Sequence, residues 1–323
     1  MTVLLTGGAG YIGGHVVDQL RIAGEDVVVV DNLSTGVPER IGAARLYDLD
    51  LSSGTAADRL ALIMREHAIE SVVHIAAKKQ VAESMAMPAW YYHQNVGGLA
   101  NVLLGMQQAG ATTLVFSSSA AVYGNGAGAA VREADPTVPM NPYGETKLVG
   151  EWLIRDAVRA GWLRASSLRY FNVAGASSPI LADRFALNLI PMVFERLGAG
   201  DAPRIFGADY PTPDGTCVRD YVHVADLADA HLAMLASLRD GGPVAGEYNI
   251  GTGTGYSVRQ VLQEIAAVTG VDIPARVMPR RPGDPASLVA DTTRIAADHG
   301  WRARFGLRDM VASAWQGYRQ VHP

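Results

Sequence analysis

Tyr143 and Lys147 stand four residues apart in Tyr143-Gly144-Glu145-Thr146-Lys147. On a helix that spacing puts a phenol and an ammonium on one face. A free tyrosine titrates at about pH 10, too high for a base at neutral pH, but a neighbouring ammonium favours the phenolate and lowers that value. Such a pair can exchange a proton with a hydroxyl group. The spacing is common and usually marks a surface pair, so its weight comes from the rest of the chain. Ser117-Ser118-Ser119 supplies hydroxyls upstream. Ser119 is the candidate for bonding a reacting oxygen, whereas capping and turn formation account equally well for Ser117 and Ser118.

A second feature gives that proton transfer a companion. In Thr6-Gly7-Gly8-Ala9-Gly10-Tyr11-Ile12-Gly13, glycines 7, 10 and 13 follow an apolar run and open a helix-length segment. Glycine lets such a turn take positive φ and lets backbone approach a pyrophosphate, which rests on the positive end of the helix. Asp31 ends the next apolar run, Val27 to Val30. A carboxylate there accepts hydrogen bonds from an adenosine ribose and repels a 2′-phosphate, so the expected cofactor is NAD rather than NADP. The positive nicotinamide ring helps the ammonium of Lys147 to lower the phenol, and Tyr143 can then move a proton while NAD exchanges a hydride at the same carbon.

These residues need strand ends and helix starts to hold them. Val27–Val30, Ser71–Ile75, Thr113–Phe116 and 163–169 read as strands whose continuous apolar character fits burial on both faces of a parallel sheet. Helix-length segments at Thr55–His67, Pro88–Ala109 and Tyr143–Ala160 lie between them. The alternation predicts an α/β fold, a Rossmann-type doubly wound sheet, with a smaller α+β domain after it. The division is placed at 1–174 and 175–323, with part of 222–250 returning to the first sheet. Helices are expected near 183–198, 225–238, 257–269 and 307–320.

Composition narrows the partners. Twenty-seven basic residues against 32 acidic ones give a net charge of −5, which argues against nucleic acid as a ligand. No apolar run reaches the roughly 18 residues that span a bilayer, so no membrane partner is expected. One cysteine, Cys217, cannot form an internal disulfide, and the start of the chain carries no secretory pattern, so the expected location is cytoplasmic. His223 and His231 are eight apart, without a further ligand nearby in sequence, so no metal site is expected. His74, within an apolar run, reads as a packed and hydrogen-bonded histidine. Trp90, Tyr91 and Tyr92 read as core and interface.

The glycine turn, Asp31 and the Tyr143/Lys147 pair together resemble the extended short-chain dehydrogenase/reductase superfamily. Within it the chain is similar to the UDP-galactose 4-epimerases. The resemblance is carried by Asp31-Asn32-Leu33-Ser34-Thr35-Gly36, Phe116-Ser117-Ser118-Ser119-Ala120-Ala121-Val122-Tyr123-Gly124 and Arg169-Tyr170-Phe171-Asn172. More specific are Ile205-Phe206-Gly207, Val218-Arg219-Asp220-Tyr221-Val222-His223-Val224 and Arg280-Arg281-Pro282-Gly283-Asp284, and the likeness runs from residue 2 to about 291.

The resemblance implies tightly held NAD used catalytically: hydride leaves C4 of a UDP-hexose, the 4-keto sugar turns over, and hydride returns to its other face. Tyr143 is then the acid/base, Lys147 holds the nicotinamide ribose, and Ser119 assists at O4. Gly7, Gly10, Tyr11, Ile12, Gly13, Asp31, Asn32, Leu33, Ser34, Thr35, Gly36, Asp48, Leu49, Ile75, Ala76, Ala77, Lys78, Lys79, Asn95 and Phe171 are implied around NAD. Without the resemblance, Lys79 reads as an exposed lysine and Asn95 as a helix cap. Arg219 and Arg281 match phosphate-binding arginines, a role that suits a bidentate guanidinium. Asp284 matches a uridine-ribose ligand, and Asn172, Asn188, Leu189, Arg204, Ile205 and Phe206 match further substrate contacts. A homodimer through the helices near 90–109 and 144–160 is also implied.

Two positions depart from the pattern. Ala121 stands where relatives often carry threonine, removing one hydroxyl. Leu288 stands where relatives carry a residue of variable size that gates the space beside the sugar's C2 group; a tyrosine there restricts it, and leucine is smaller, so UDP-N-acetylhexosamines are expected to fit as well. Rival activities on the same fold, 4,6-dehydration and decarboxylation, call for acid/base groups at Ala120 and Ala121, which alanine cannot supply. A non-catalytic NAD-binding regulator is the other alternative, and it predicts loss of Tyr143 or Lys147.

Overall fold

The computed structural model describes residues 1–126, 130–185, 187–242, 244, 246–281 and 283–322. The chain begins β1 (Thr2–Thr6), α1 (Tyr11–Ile22), β2 (Asp26–Asp31), β3 (Arg45–Asp48), α2 (Ala56–Glu66) and β4 (Ser71–His74). It continues through α3 (Val81–Ala86), α4 (Pro88–Tyr91), α5 (Gly98–Ala109), β5 (Thr113–Ser117), α6 (Pro142–Arg159), β6 (Arg164–Tyr170) and β7 (Asn172–Ala174). Next come α7 (Leu189–Gly198), β8 (Arg204–Phe206), β9 (Val218–His223), α8 (Val224–Arg239), β10 (Gly246–Ile250) and β11 (Gly255–Ser257). The last elements are α9 (Val258–Thr269), β12 (Arg276–Met278), β13 (Ser287–Leu288), α10 (Thr293–His299) and α11 (Leu307–Val321).

Seven strands form one sheet in the order β10-β6-β5-β4-β1-β2-β3, parallel through β3 to β6. The valines of β2 and β4 are buried on both faces, which explains runs without polar alternation. β1 lies between β2 and β4, so strand order reverses there, and the carboxyl ends around β1 become the natural ligand position. Helices α2 and α5 cover one face through Leu60, Met64, Leu99, Val102 and Met106, packed on Leu4, Val72 and Leu114.

The predicted helix Pro88–Ala109 is interrupted: α4 and α5 are joined by a π-helical turn at Tyr92–Gly97, which carries Asn95. The helix expected near 183–198 starts only at Leu189, where Asn188 in extended backbone forms its N-cap. No helix among the described residues is long and apolar enough to cross a membrane.

By contacts the chain divides into two units. The first comprises Met1–Val122, Pro139–Arg169 and Ala228–Tyr248; the second comprises Tyr123–Val138, Tyr170–Leu227 and Asn249–Pro323. Beside the expected change near 175 and the expected return within 222–250, this division has a further excursion at 123–138. The excursion 123–138 joins the second unit because Val131 N–H donates to Val289 O (2.8 Å) and Asp291 N–H donates to Val131 O (2.8 Å). In that unit β9 pairs with β7, β11 and β13, while β8 pairs with β12. The core there includes Ile190, Phe194, Tyr221, Val261, Ile265 and Met310. Asp220, fully buried on β9, ties its loops together by accepting from the backbone N–H groups of Thr252, Gly253 and Ala290.

Candidate active site

The glycine turn sits at the carboxyl end of β1. Gly7 has φ +73, and a β-carbon there would lie 2.7 Å from Ala76 N, so only glycine lets the turn and the loop after β4 meet. That loop is pinned to β1 by Ile75 and Ala76, whose N–H groups both donate to Thr6 O at 3.1 Å. Gly13 meets Gly7 O even more closely, so the turn folds back on the first turn of α1, whose free N–H groups suit an anion. At the end of β2, Asp31 accepts from Ala9 N–H at 3.0 Å and Leu33 N–H at 2.9 Å. Burial raises its pKa, against those N–H groups and Lys78, which lower it. Leu33 holds the left-handed region with φ +54.

The remaining residues predicted around the cofactor cluster unevenly. Lys78 Nζ donates to Ser34 Oγ at 2.9 Å. Asp48 stands beside Asp31 in register, and Leu49 N–H donates to Asp31 O. Asn95 is not a helix cap: its Oδ1 accepts from Lys78 N–H (2.8 Å) and its Nδ2 donates to Thr146 Oγ1 (3.0 Å), joining the loop after β4 to α6. Lys79 is exposed. Phe171 lies in the second unit, buried, with its N–H on Ile250 O. The turn, the acidic strand end and the loop thus fit a dinucleotide.

Tyr143 and Lys147 both lie buried on α6, whose start is fixed by Asn141 Oδ1 accepting from Gly144 N–H and by Pro142 in the first turn. Ser119 stands by the Tyr143 phenol, whose pKa it lowers, and accepts from Ala121 N–H at 3.1 Å. Lys147 turns aside: its Nζ donates to Ser117 O at 2.7 Å and lies over the Phe116 ring. The expected lowering of the tyrosine rests on Lys147 together with a bound nicotinamide. Burial raises the Tyr143 phenol above its usual value, and Ser119, not Lys147, opposes the rise. Burial also pulls Lys147 down to about 7, against Glu151, which raises it. His74 is a packed histidine, bonded to Thr6 Oγ1 at 2.7 Å and held neutral by burial.

Three partners of this cluster have no signal in the spacing of the sequence. Glu151 and Arg169 form a buried ion pair, and Ser118 Oγ donates to Glu151 Oε1 at 2.5 Å. Ser117 Oγ is bonded to His231 Nε2 at 2.9 Å. Only the position of Glu151, one turn beyond Lys147, could have singled it out.

In the second unit, Arg219 and Asp284 face one another at 3.7 Å, so these two predicted ligands share charge rather than standing apart. Arg281 stacks over the Phe206 ring at 3.7 Å, giving a cation and an aromatic plane together; Pro282 lies outside the described residues. Arg204 is exposed on β8 beside buried Ile205. Asn172 pairs in register with Tyr221, and Asn188 donates to Asp183 Oδ2 at 3.2 Å, next to Leu189. Leu288 on β13 pairs in register with Arg219, and its Cδ1 lies 3.0 Å from where a Gly126 β-carbon would sit. Among the described residues no group of three or more His, Cys, Asp or Glu could hold a metal ion.

Residues 3–251 match the NAD dependent epimerase/dehydratase family. The chain belongs to that family. The UDP-glucose 4-epimerase of Azospirillum brasilense is 46% identical to this epimerase/dehydratase over 97% of the chain and 91% of its own length. A solved UDP-glucose-4-epimerase from Stenotrophomonas maltophila, with bound NAD and formylated UDP-arabinopyranose, matches with TM-score 0.94 and 41% identity, covering 99% of this chain and 98% of that one. The UDP-Glc/GlcNAc 4-epimerase of Campylobacter jejuni matches with TM-score 0.85 and 37% identity over 99% of each chain. As an epimerase/dehydratase, the chain has alanine at 120 and 121 directly after Ser119, where a dehydration would need proton donors.

Proposed function

We infer that the protein interconverts UDP-glucose and UDP-galactose by transient oxidation at C4 of the sugar, with NAD as its cofactor. The observation that carries this reading is the buried phenol of Tyr143 with Ser119 beside it, in the unit whose sheet presents the glycine turn of a dinucleotide site. When bound, the nicotinamide supplies a reversible two-electron acceptor for C4 and a positive charge beside the phenol.

In this reading Tyr143 takes the proton of the C4 hydroxyl and later returns it. Ser119 steadies the reacting oxygen, and Lys147 holds the ribose and fixes Ser117. Burial raises the phenol, so its use as a base calls for the positive charge of Lys147 and of a bound nicotinamide. Arg219 and Arg281 hold the diphosphate while the 4-keto sugar turns, and Asp284 takes the uridine ribose. Dehydration and decarboxylation find no acid or base at Ala120 or Ala121. The retained Tyr143 and Lys147 speak against a silent regulator.

Three finer statements belong to the same proposal. Leu288 leaves room for an N-acetyl group at C2, which the likeness to a Glc/GlcNAc epimerase supports. The protein pairs as a homodimer through α5 and α6, where Leu104 and Trp152 are each about half exposed. It works in the cytoplasm, where the free thiol of Cys217 would stay reduced.

The test is incubation of the purified protein with UDP-glucose, UDP-galactose and UDP-N-acetylglucosamine, without added reductant, followed by product identification. UDP-galactose from UDP-glucose is expected, with no loss of water or carbon dioxide. A dehydrated or decarboxylated product, or none, overturns the reading. UDP-N-acetylglucosamine left untouched while UDP-glucose turns over overturns the role of Leu288 alone.

A further inference from the structure

We propose that Ser118 and Glu151 are positioning residues for the epimerisation, locking α6 onto the end of β5 so that Tyr143, Ser119 and Lys147 keep their working geometry. This inference rests on the functional reading above.

Tyr143, Lys147 and Glu151 are spaced four apart on one face of α6. Each meets one of three consecutive serines. Tyr143 stands by Ser119, Lys147 Nζ donates to the carbonyl of Ser117, and Glu151 Oε1 accepts from Ser118 Oγ. Two glycines let the helix come this close. A β-carbon at Gly144 would lie 2.7 Å from Ala121 O, and one at Gly150 would lie 2.8 Å from Phe116 Cζ. Ser118 is fully buried. Its side chain is therefore no surface cap; it spends its hydroxyl on the helix that carries the phenol.

Glu151 is held in turn by Arg169 on β6. Arg169 Nε donates to Glu151 Oε1 at 2.9 Å and Nη2 donates to Oε2 at 2.6 Å, with the two side chains 3% and 0% exposed. A buried ion pair gains little stability over an apolar pair of the same size, because both charges lose their water. Its use here is geometric: a two-pronged grip fixes the carboxylate, the carboxylate fixes Ser118, and Ser118 fixes the strand end beside Ser119. A misplacement of about 1 Å at reacting groups costs as much as roughly a hundredfold in rate.

Glu151 has a second effect, through charge. Lys147 is buried, and Glu151 is the group that favours its ammonium. Around it stand Tyr143 on its own helix, neutral His74 on β4, Arg169 on β6 with its charge spent on Glu151, and His231 on α8 reached through Ser117. Removing the Glu151 charge therefore discharges Lys147 at lower pH.

The experiment measures kcat, KM for UDP-glucose, retained NAD and the pH profile of kcat for the full-length NAD-loaded protein, in wild type, Ser118→Ala and Glu151→Gln. Ser118→Ala is expected to lower kcat about tenfold or more, with KM and NAD content within about twofold of wild type and the pH profile unmoved. Glu151→Gln is expected to lower kcat and also move the alkaline limb of the profile to lower pH. If it fails to fold with Arg169 left unmatched, the double variant Glu151→Gln/Arg169→Met, which leaves no unmatched guanidinium, reads a smaller shift in the same direction. Variants matching wild-type kcat and pH profile overturn the inference while the functional reading stands, as does a loss of kcat that only follows the loss of folded, NAD-bearing protein. A wild type inactive on the sugars overturns both.

Discussion

Gly10 and Gly13 have equal rank in the glycine pattern, yet the structure gives them different duties. A β-carbon at Gly13 would lie 2.0 Å from Gly7 O, 2.7 Å from Gly8 Cα and 2.8 Å from Gly7 C. All three are backbone atoms of the turn, so no side chain can swing aside. Contact distances for carbon begin above about 3 Å, and the turn must therefore move by about 1 Å. Overpacking costs roughly 1–3 kcal/mol, and with only backbone to yield we take about 3. That should lower the unfolding temperature of the cofactor-free protein by roughly 5–10 °C. The same movement spoils the aim of the N–H groups at the start of α1, and a loss of about 3 kcal/mol weakens NAD binding by about a hundredfold. A β-carbon at Gly10 meets only Gly7 O, at 3.2 Å, and φ is −72, which alanine adopts freely. Gly10→Ala should leave the cofactor-free protein as stable as wild type and weaken NAD only by crowding the pyrophosphate itself. Differential scanning fluorimetry after removal of NAD, together with calorimetric titration of NAD, separates the two. A Gly13→Ala protein that melts with wild type and keeps its NAD would refute the reasoning.

Tyr143→Phe should lower epimerisation by roughly 10²–10⁴-fold while NAD stays bound; near-normal turnover in a product assay defeats the acid/base role. Arg219→Ala should raise KM for UDP-glucose strongly and lower kcat less, because binding energy on the diphosphate also orients the sugar; steady-state kinetics showing an unchanged KM count against it. His74 is held neutral in the fold, its pKa pulled down to about 3 by burial and by Lys147, against about 6.5 when unfolded. Below pH 6.5 the unfolded chain gains a proton that the folded one refuses, so stability drains as pH falls, by about 3 kcal/mol at pH 4. His74→Gln lacks this loss, and in urea unfolding its gap to wild type should narrow between pH 7 and pH 4; parallel curves argue against it.

The parallel sheet was readable because its strands are buried on both faces, so Val27–Val30 and Thr113–Phe116 had to be continuous apolar runs. β3 escaped notice for the opposite reason: none of its four residues is buried, and it is recognised only by its register with β2. The π-helical turn at Tyr92–Gly97 was equally hidden, since the apolar spacing of Pro88–Ala109 suits an unbroken helix. Its meaning lies in Asn95, whose amide must reach both Lys78 and Thr146. Such turns often mark functional places. The excursion 123–138 is held by pairings to residues more than a hundred positions away, which local composition does not encode.

The chemistry of the site shows the same limit more sharply. Tyr143 and Lys147 are four apart, so sequence reasoning made them partners, and on one face of α6 they are neighbours. Neighbourhood on a helix does not decide where a long side chain ends. Lys147 reaches the Ser117 carbonyl because that carbonyl, at a buried strand end, is an acceptor that water does not reach. The phenol is then left to burial and to Ser119, and burial wins. The lowering that the sequence leads one to expect rests on Lys147 together with the positive charge that a bound nicotinamide would bring. Because burial moves Tyr143 away from ionisation, opposing positive charge is the condition for the phenol to act as a base.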